Sequence, residues 1–104
     1  MSAVQLKNRH LLIAAEVAQK VFGDAPQVFI VYYPQQKALL LAPSDDELFP
    51  TIHSPAQQML KTRNLIGDRS LSLEEILIDN ELEDSDRPLP FLHQEGLRLL
   101  HITL

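Results

Sequence analysis

The sequence predicts an α+β protein, mainly β with short helices, built from two strand–helix–hairpin copies within one domain of 104 residues. One observation is the run Val28-Phe29-Ile30-Val31-Tyr32-Tyr33. Its β-branched and aromatic side chains suit a strand, and a turn and the apolar return Ala38 to Ala42 follow it. A second is the spacing of Ile13, Val17 and Val21, four apart, which places them on one face of a short helix. A third is that the same order of patterns recurs about sixty residues further on.

In chain order, Leu6 to Ile13 reads as the first strand. The helix covers roughly Ala14 to Phe22. Gly23-Asp24 and Pro26 end it, because Gly suits the left-handed cap and Pro cannot continue a helix. Pro34 to Lys37 supplies the turn of the first hairpin. Asp45-Asp46-Glu47 lies where negative charge suits a helix N-terminus, with Leu48-Phe49 as one helical turn before Pro50. Ser54-Pro55-Ala56-Gln57 has the form of a helix start, with Ser54 as cap, Pro55 at the first position and Gln57 completing a capping box. That helix would run to about Lys61 or Asn64, making residues 44–65 a helical linker.

Residues 6–43 and 66–104 then form an internal pseudo-repeat. Asp68 to Leu73 lines up with Asn8 to Ile13, and a helix Glu74 to Leu82 stands against Ala14 to Phe22. Ser72-Leu73-Glu74-Glu75 is a second capping box at the start of that helix. The prolines of Arg87-Pro88-Leu89-Pro90 imply a sheet edge or a delayed strand start. Gly96 falls in the last turn, and Leu97 to Leu104 is the last strand. Both it and Val28 to Tyr33 are apolar on two faces, which fits a small closed barrel or an interface. Such strands favour a homodimer.

Composition bounds the partners. No apolar run approaches the roughly 20 residues of a membrane span. The N-terminus lacks the apolar core of a signal peptide, which argues against export. Without cysteines there are no disulfides, thiolate metal sites or cysteine nucleophiles, a pattern that fits a reducing cytoplasm. The net charge is −5: residues 1–52 carry four basic and five acidic groups, residues 53–104 five basic and nine acidic. A general polyanion binder is usually basic, so nucleic acid would need a local patch.

No catalytic or cofactor-binding pattern stands out. The three glycines do not form a phosphate loop, and the serines lack a nucleophile elbow. Of His10, His53, His93 and His101, only His93 and His101 could face each other, across the last hairpin. Asp84-Ser85-Asp86 supplies oxygens but lacks the glycine and terminal glutamate of a helix–loop–helix calcium site, so it reads as a solvated helix end. Lys61 and Arg63 either extend a basic patch or, on the preferred reading, compensate a helix dipole.

Lys7-Asn8-Arg9, Ile13-Ala14-Ala15-Glu16-Val17, Gly23-Asp24 and Leu41-Ala42-Pro43 follow the order of a basic strand, a helix entry, a Gly-Asp turn and a hairpin exit. This order resembles the swapped-hairpin DNA-binding domains of the AbrB, MazE and MraZ type, and two copies in one chain resemble the MraZ arrangement. Asn8 and Asp68 stand where that family has Gly, and Ala14 stands where it has Pro. In the second half Arg69 and the general layout match. The resemblance implies a swapped-hairpin β-barrel, no enzyme activity, and a regulator that binds double-stranded DNA through Lys7, Arg9 and Arg69. A guanidinium can grip a phosphate or a guanine edge bidentately. The competing reading makes Arg9 and Arg69 partners of carboxylates such as Glu16 or Asp68. The module would then bind another protein on the same scaffold without DNA.

Overall fold

The structure, a computed structural model, describes residues 3–93 and 98–104. Among them, two five-stranded antiparallel sheets share one apolar core. Sheet A runs in the order β6 (Lys61–Thr62), β7 (Arg69–Ser72), β2 (His10–Ile13), β1 (Val4–Lys7) and β8 (Arg87–Pro88). Sheet B runs β5 (Ala56–Met59), β3 (Gln27–Tyr33), β4 (Ala38–Pro43), β10 (Leu100–Thr103) and β9 (Phe91–His93). Three short helices are α1 (Ala15–Val21), α2 (Phe49–His53) and α3 (Glu74–Asp79). Strand alternation turns Leu6, Leu11, Ile13 and Leu71 inward from sheet A against Ile30, Leu39, Leu41, Leu100 and Ile102 from sheet B. Phe22, just past α1, joins the same core.

The two halves of the chain meet twice. β2 pairs with β7, from His10↔Ser72 to Ile13↔Arg69. β4 pairs with β10, from Ala38↔Thr103 to Leu41↔Leu100. An offset of 60 exchanges the partners of both ladders: it turns His10↔Ser72 into Ser70↔Leu12, and Leu40↔His101 into Leu100↔Leu41. Each half therefore contributes one central strand to each sheet.

Several elements differ from the sequence-based expectation. The first strand is a hairpin: Asn8 and Arg9 both take positive φ (50° and 65°), and Lys7 pairs with His10. Two left-handed residues give the two-residue turn whose twist matches that of its strands. The closed barrel is replaced by two open sheets, connected by chain at two corners. At one corner Leu60 links β5 to β6 and donates its N–H to Pro26 O (2.9 Å); at the other Leu89 links β8 to β9 and donates to Val4 O (3.0 Å). Pro26, Pro88 and Pro90 have no N–H to extend the ladders there.

The helical linker of residues 44–65 is replaced by α2 and two strands. Asp46 Oδ1 accepts the N–H groups of Leu48 and Phe49, so α2 begins where it was expected to end, with Pro50 in its first turn. Ser54 closes α2 in the left-handed conformation (φ 46°) instead of opening a new helix. Ala56–Met59 then pairs with Gln27–Ile30 of β3, because an open strand edge offers these residues more than an isolated helical turn would. The expected capping box at Ser72 does not form: Leu73 is the N-cap of α3, the Ser72 hydroxyl accepts only the Glu74 N–H at 3.3 Å, and the helix stops at Asp79. The expected turn at Gly96 and the start of the last strand at Leu97 lie outside the described residues.

The strands that read as apolar on two faces find both covers within the chain. Val28 and Ile30 face the core, while Phe29, Val31 and Tyr33 pack with Leu40, Ala42 and Phe49 on the outer side of sheet B. There α2 supplies the cover. Phe49 stacks on Phe29 with rings 6.2 Å apart, and Tyr33 Oη shares a 2.6 Å hydrogen bond with His53 Nδ1.

The end of α3 yields a prediction. Glu81 N–H reaches Ile78 O and Leu82 N–H reaches Leu77 O, the paired bonds of a helix end whose left-handed position glycine prefers. Glu81 holds that position at φ 51°. Glu81→Gly is expected to stabilise the fold by roughly 0.5–1 kcal/mol, read as a raised urea midpoint at unchanged slope.

Candidate nucleic-acid interface

Burial separates the three basic residues singled out by sequence. Arg69 opens β7 with its side chain on the core side and is only 8% exposed. Its Nη2 donates to Ala25 O (2.7 Å) and Leu60 O (2.8 Å), and its Nη1 to Gly23 O (3.4 Å). The guanidinium thus ties three segments together: the exit of α1, the β5–β6 corner and the start of β7. With its charge held against carbonyl dipoles inside the fold, Arg69 is a structural strut.

Arg9 sits in the left-handed β1–β2 turn and is half exposed. Its Nε donates to Asp84 Oδ2 at 2.8 Å, and Nη1 lies 3.5 Å from Glu74 Oε1. Asp86 Oδ1 accepts the neighbouring Asn8 N–H at 2.9 Å. The acidic stretch after α3 therefore clamps the turn, instead of being a purely solvated helix end. Arg9 and Arg69 do play related parts: each reaches from a sheet A strand end to the residues just past the other half's helix. The carboxylates they were expected to meet, Glu16 and Asp68, are engaged elsewhere. Glu16 pairs with Lys20.

Asp68 holds α1 from outside. Its Oδ1 accepts the Ala15 N–H at 2.7 Å, one of the donors a helix N-terminus leaves free, and its Oδ2 accepts the Asn64 amide at 3.0 Å. The Asn64 bond, then the Ala15 bond, hold the Asp68 carboxyl below its ordinary pKa, with the Arg63 charge acting in the same direction.

Lys7 alone of the three faces solvent without a salt bridge among the described residues. It lies on the outer side of sheet A, in the cross-strand row Ser72–His10–Lys7. The next row runs Lys61–Ser70–Leu12–Gln5. Arg63, just past β6, completes a shallow hollow of about 390 Å³ with Lys7, Asn8, His10, Leu12 and Ser70. No carboxylate lines it. Lys61 and Arg63 also make no salt bridge among the described residues. His10 Nδ1 donates to Asn8 O at 2.9 Å, since a carbonyl can only accept, which leaves Nε2 as the open nitrogen. The face thus offers three cations, an imidazole and serine hydroxyls, all groups that bind phosphate.

Sequence reading found Lys7 but assigned Lys61 and Arg63 to a helix end that does not exist. Their role depends on residues 56–62 being strand, and the side chains there show no two-residue alternation that would have signalled it. His93 and His101 do not converge. His93 pairs with Leu100 and His101 with Leu92, so adjacent register positions place them on opposite faces of the sheet. No family model, curated protein or solved structure matches the chain. No helix among the described residues is long and apolar enough to cross a membrane.

Three outcomes follow from this geometry. Arg69→Met removes three hydrogen bonds to carbonyls, one buried and two partly buried, and is expected to cost roughly 2–4 kcal/mol in urea unfolding. Arg9→Met, at a half-exposed ion pair, should cost about 1 kcal/mol or less in the same assay. For Asp68 the folded pKa lies below the unfolded one, so its stabilisation is present above the unfolded value and is lost as pH falls through the folded one. Unfolding free energy should therefore decline below about pH 4, and Asp68→Asn should flatten that limb relative to wild type.

Proposed function

We propose that this chain is a non-catalytic DNA-binding regulator of the swapped-hairpin type, built as two related halves. Its contact surface is the outer face of sheet A. The observation that carries this reading is the segregation of free cations. Most basic side chains are consumed by carboxylates or carbonyls: Arg9, Lys20 and Arg98 in salt bridges, Arg69 and Arg87 on backbone oxygens. Of the cations left over, Lys7, Lys61 and Arg63 gather on one sheet face around a hollow without carboxylates. An antiparallel sheet face or ribbon is a known shape for duplex grooves.

The contact set is Lys7, Lys61 and Arg63, with the His10 ring beside them. Arg69 is withdrawn from it by burial, and Arg9 acts by holding the turn that carries Lys7. The lowered charge on the rest of the surface makes binding weak and salt-sensitive. About three phosphate contacts give a slope near −2.7 for log affinity against log salt, at about −0.9 per contact.

The measurement is a fluorescence titration of labelled duplex from low to moderate salt. Lys7→Ala and Arg63→Ala should each weaken binding and reduce the slope by about 0.9. Lys37→Ala, in the β3–β4 turn, should leave both unchanged. Absence of binding by the wild-type chain at low salt would retire DNA and leave the reading of a protein-interaction module on the same scaffold.

A further inference from the structure

β3 has an edge that the chain does not cover. Along one side it pairs with β4 from Val28 to Tyr33, but along the other β5 covers only Gln27 to Ile30. From Val31 to Tyr33 the second edge has no strand partner among the described residues. It opens into a cleft of about 820 Å³ bounded by β3, the start of β5 at Ala56, and α3.

The cleft has a distinct chemistry. Ile30, Val31 and Ile76 give it an apolar wall, and Ile78 projects from α3 at 61% exposure. Glu74, Glu75 and Asp79 stand on the α3 side, and no lysine or arginine lines the space. Glu74 is partly engaged by Arg9 at 3.5 Å, whereas Glu75 and Asp79 make no salt bridge among the described residues.

We propose that this cleft receives an extended segment of a partner protein, with alternating apolar and cationic residues, which adds as a strand to Val31–Tyr33. Three features point to that occupant together. Unpaired backbone groups select an extended chain, since an added strand satisfies them. Strand alternation then sends every second side chain toward α3 and the others to the outer side of sheet B beside Val31 and Tyr33. The α3 carboxylates select lysine or arginine on the set that faces α3, with their stems along Ile76 and Ile78, and apolar residues suit the other set. The same carboxylates repel both DNA and an acidic peptide. The site shares no residue with the hollow on sheet A, so it neither needs nor excludes DNA binding.

The test uses the full chain and a fluorescein-labelled short peptide of alternating lysine and valine, followed by anisotropy. Controls are the same peptide with glutamate for lysine, and with proline at its centre, which cannot complete the strand ladder. The lysine peptide should bind saturably and at least about tenfold more tightly than the proline peptide. Glu75→Lys with Asp79→Lys should lower affinity by about tenfold or more, and so should Ile78→Ser, with circular dichroism confirming the fold. Amide exchange at Tyr32 should slow on binding, since Gln27 and Tyr33 bond on the β4 side and the alternate residues face the open edge. Equal affinity for the lysine and proline peptides would overturn the proposal, as non-specific attraction to an acidic protein. Undiminished binding by the Lys variants would overturn it too. So would a dimer in light scattering that the Ile78→Ser variant dissolves, because a second copy would then be the occupant.

Discussion

The bonds of Arg69 to three carbonyls hold together the parts on which the other contacts depend. Gly23 O and Ala25 O belong to the turn out of α1, and Leu60 O to the corner where the chain passes from sheet B to sheet A. Without a fixed corner, Lys61 and Arg63 have no defined place on the sheet. Without the fixed α1 exit, β3 loses the entry that sets its register with β4. Nε of the same guanidinium has no partner among the described residues, so its hold rests on carbonyl dipoles and not on a carboxylate. Neutral acceptors around a buried cation suit a joint between segments, because no single ion pair decides its geometry.

What could be read from sequence was what local rules decide. The β3–β4 hairpin follows from β-branched composition and the Pro34–Lys37 turn, and α1 ends at Gly23, whose φ of 58° is the conformation glycine takes most readily. What could not be read was decided by distant partners. Ser54-Pro55-Ala56-Gln57 satisfies every local sign of a helix start, yet Ser54 is taken by α2 and Ala56 by the edge of β3. Asn8-Arg9 lacks the glycine that usually completes such a turn, and the carboxylates that hold it lie in the far half of the chain. The role of Arg69 was hidden for the same reason, since nothing in its neighbourhood in sequence marks it as buried.

Charge is arranged by sign. Carboxylates past α3 are drawn to the β1–β2 turn, while those on α3 border the cleft beside β3. Free cations collect on the outer face of sheet A. An overall charge of −5 therefore conceals two surfaces of opposite preference, which a whole-chain value averages away.

The two ladders between halves also set the order in which this chain can assemble. Ile13 meets Arg69 and Ala38 meets Thr103, and Arg9 meets Asp84 across 75 positions. Each such closure costs entropy before any contact rewards it, and high contact order slows folding. β10, late in the chain, lies between β4 and β9 in sheet B. Until β10 is in place, the edge of β4 that meets Ile102 at Leu39 and Leu100 at Leu41 is open. A chain without residues 100–103 would therefore keep an open strand edge in sheet B, the exposure that favours aggregation.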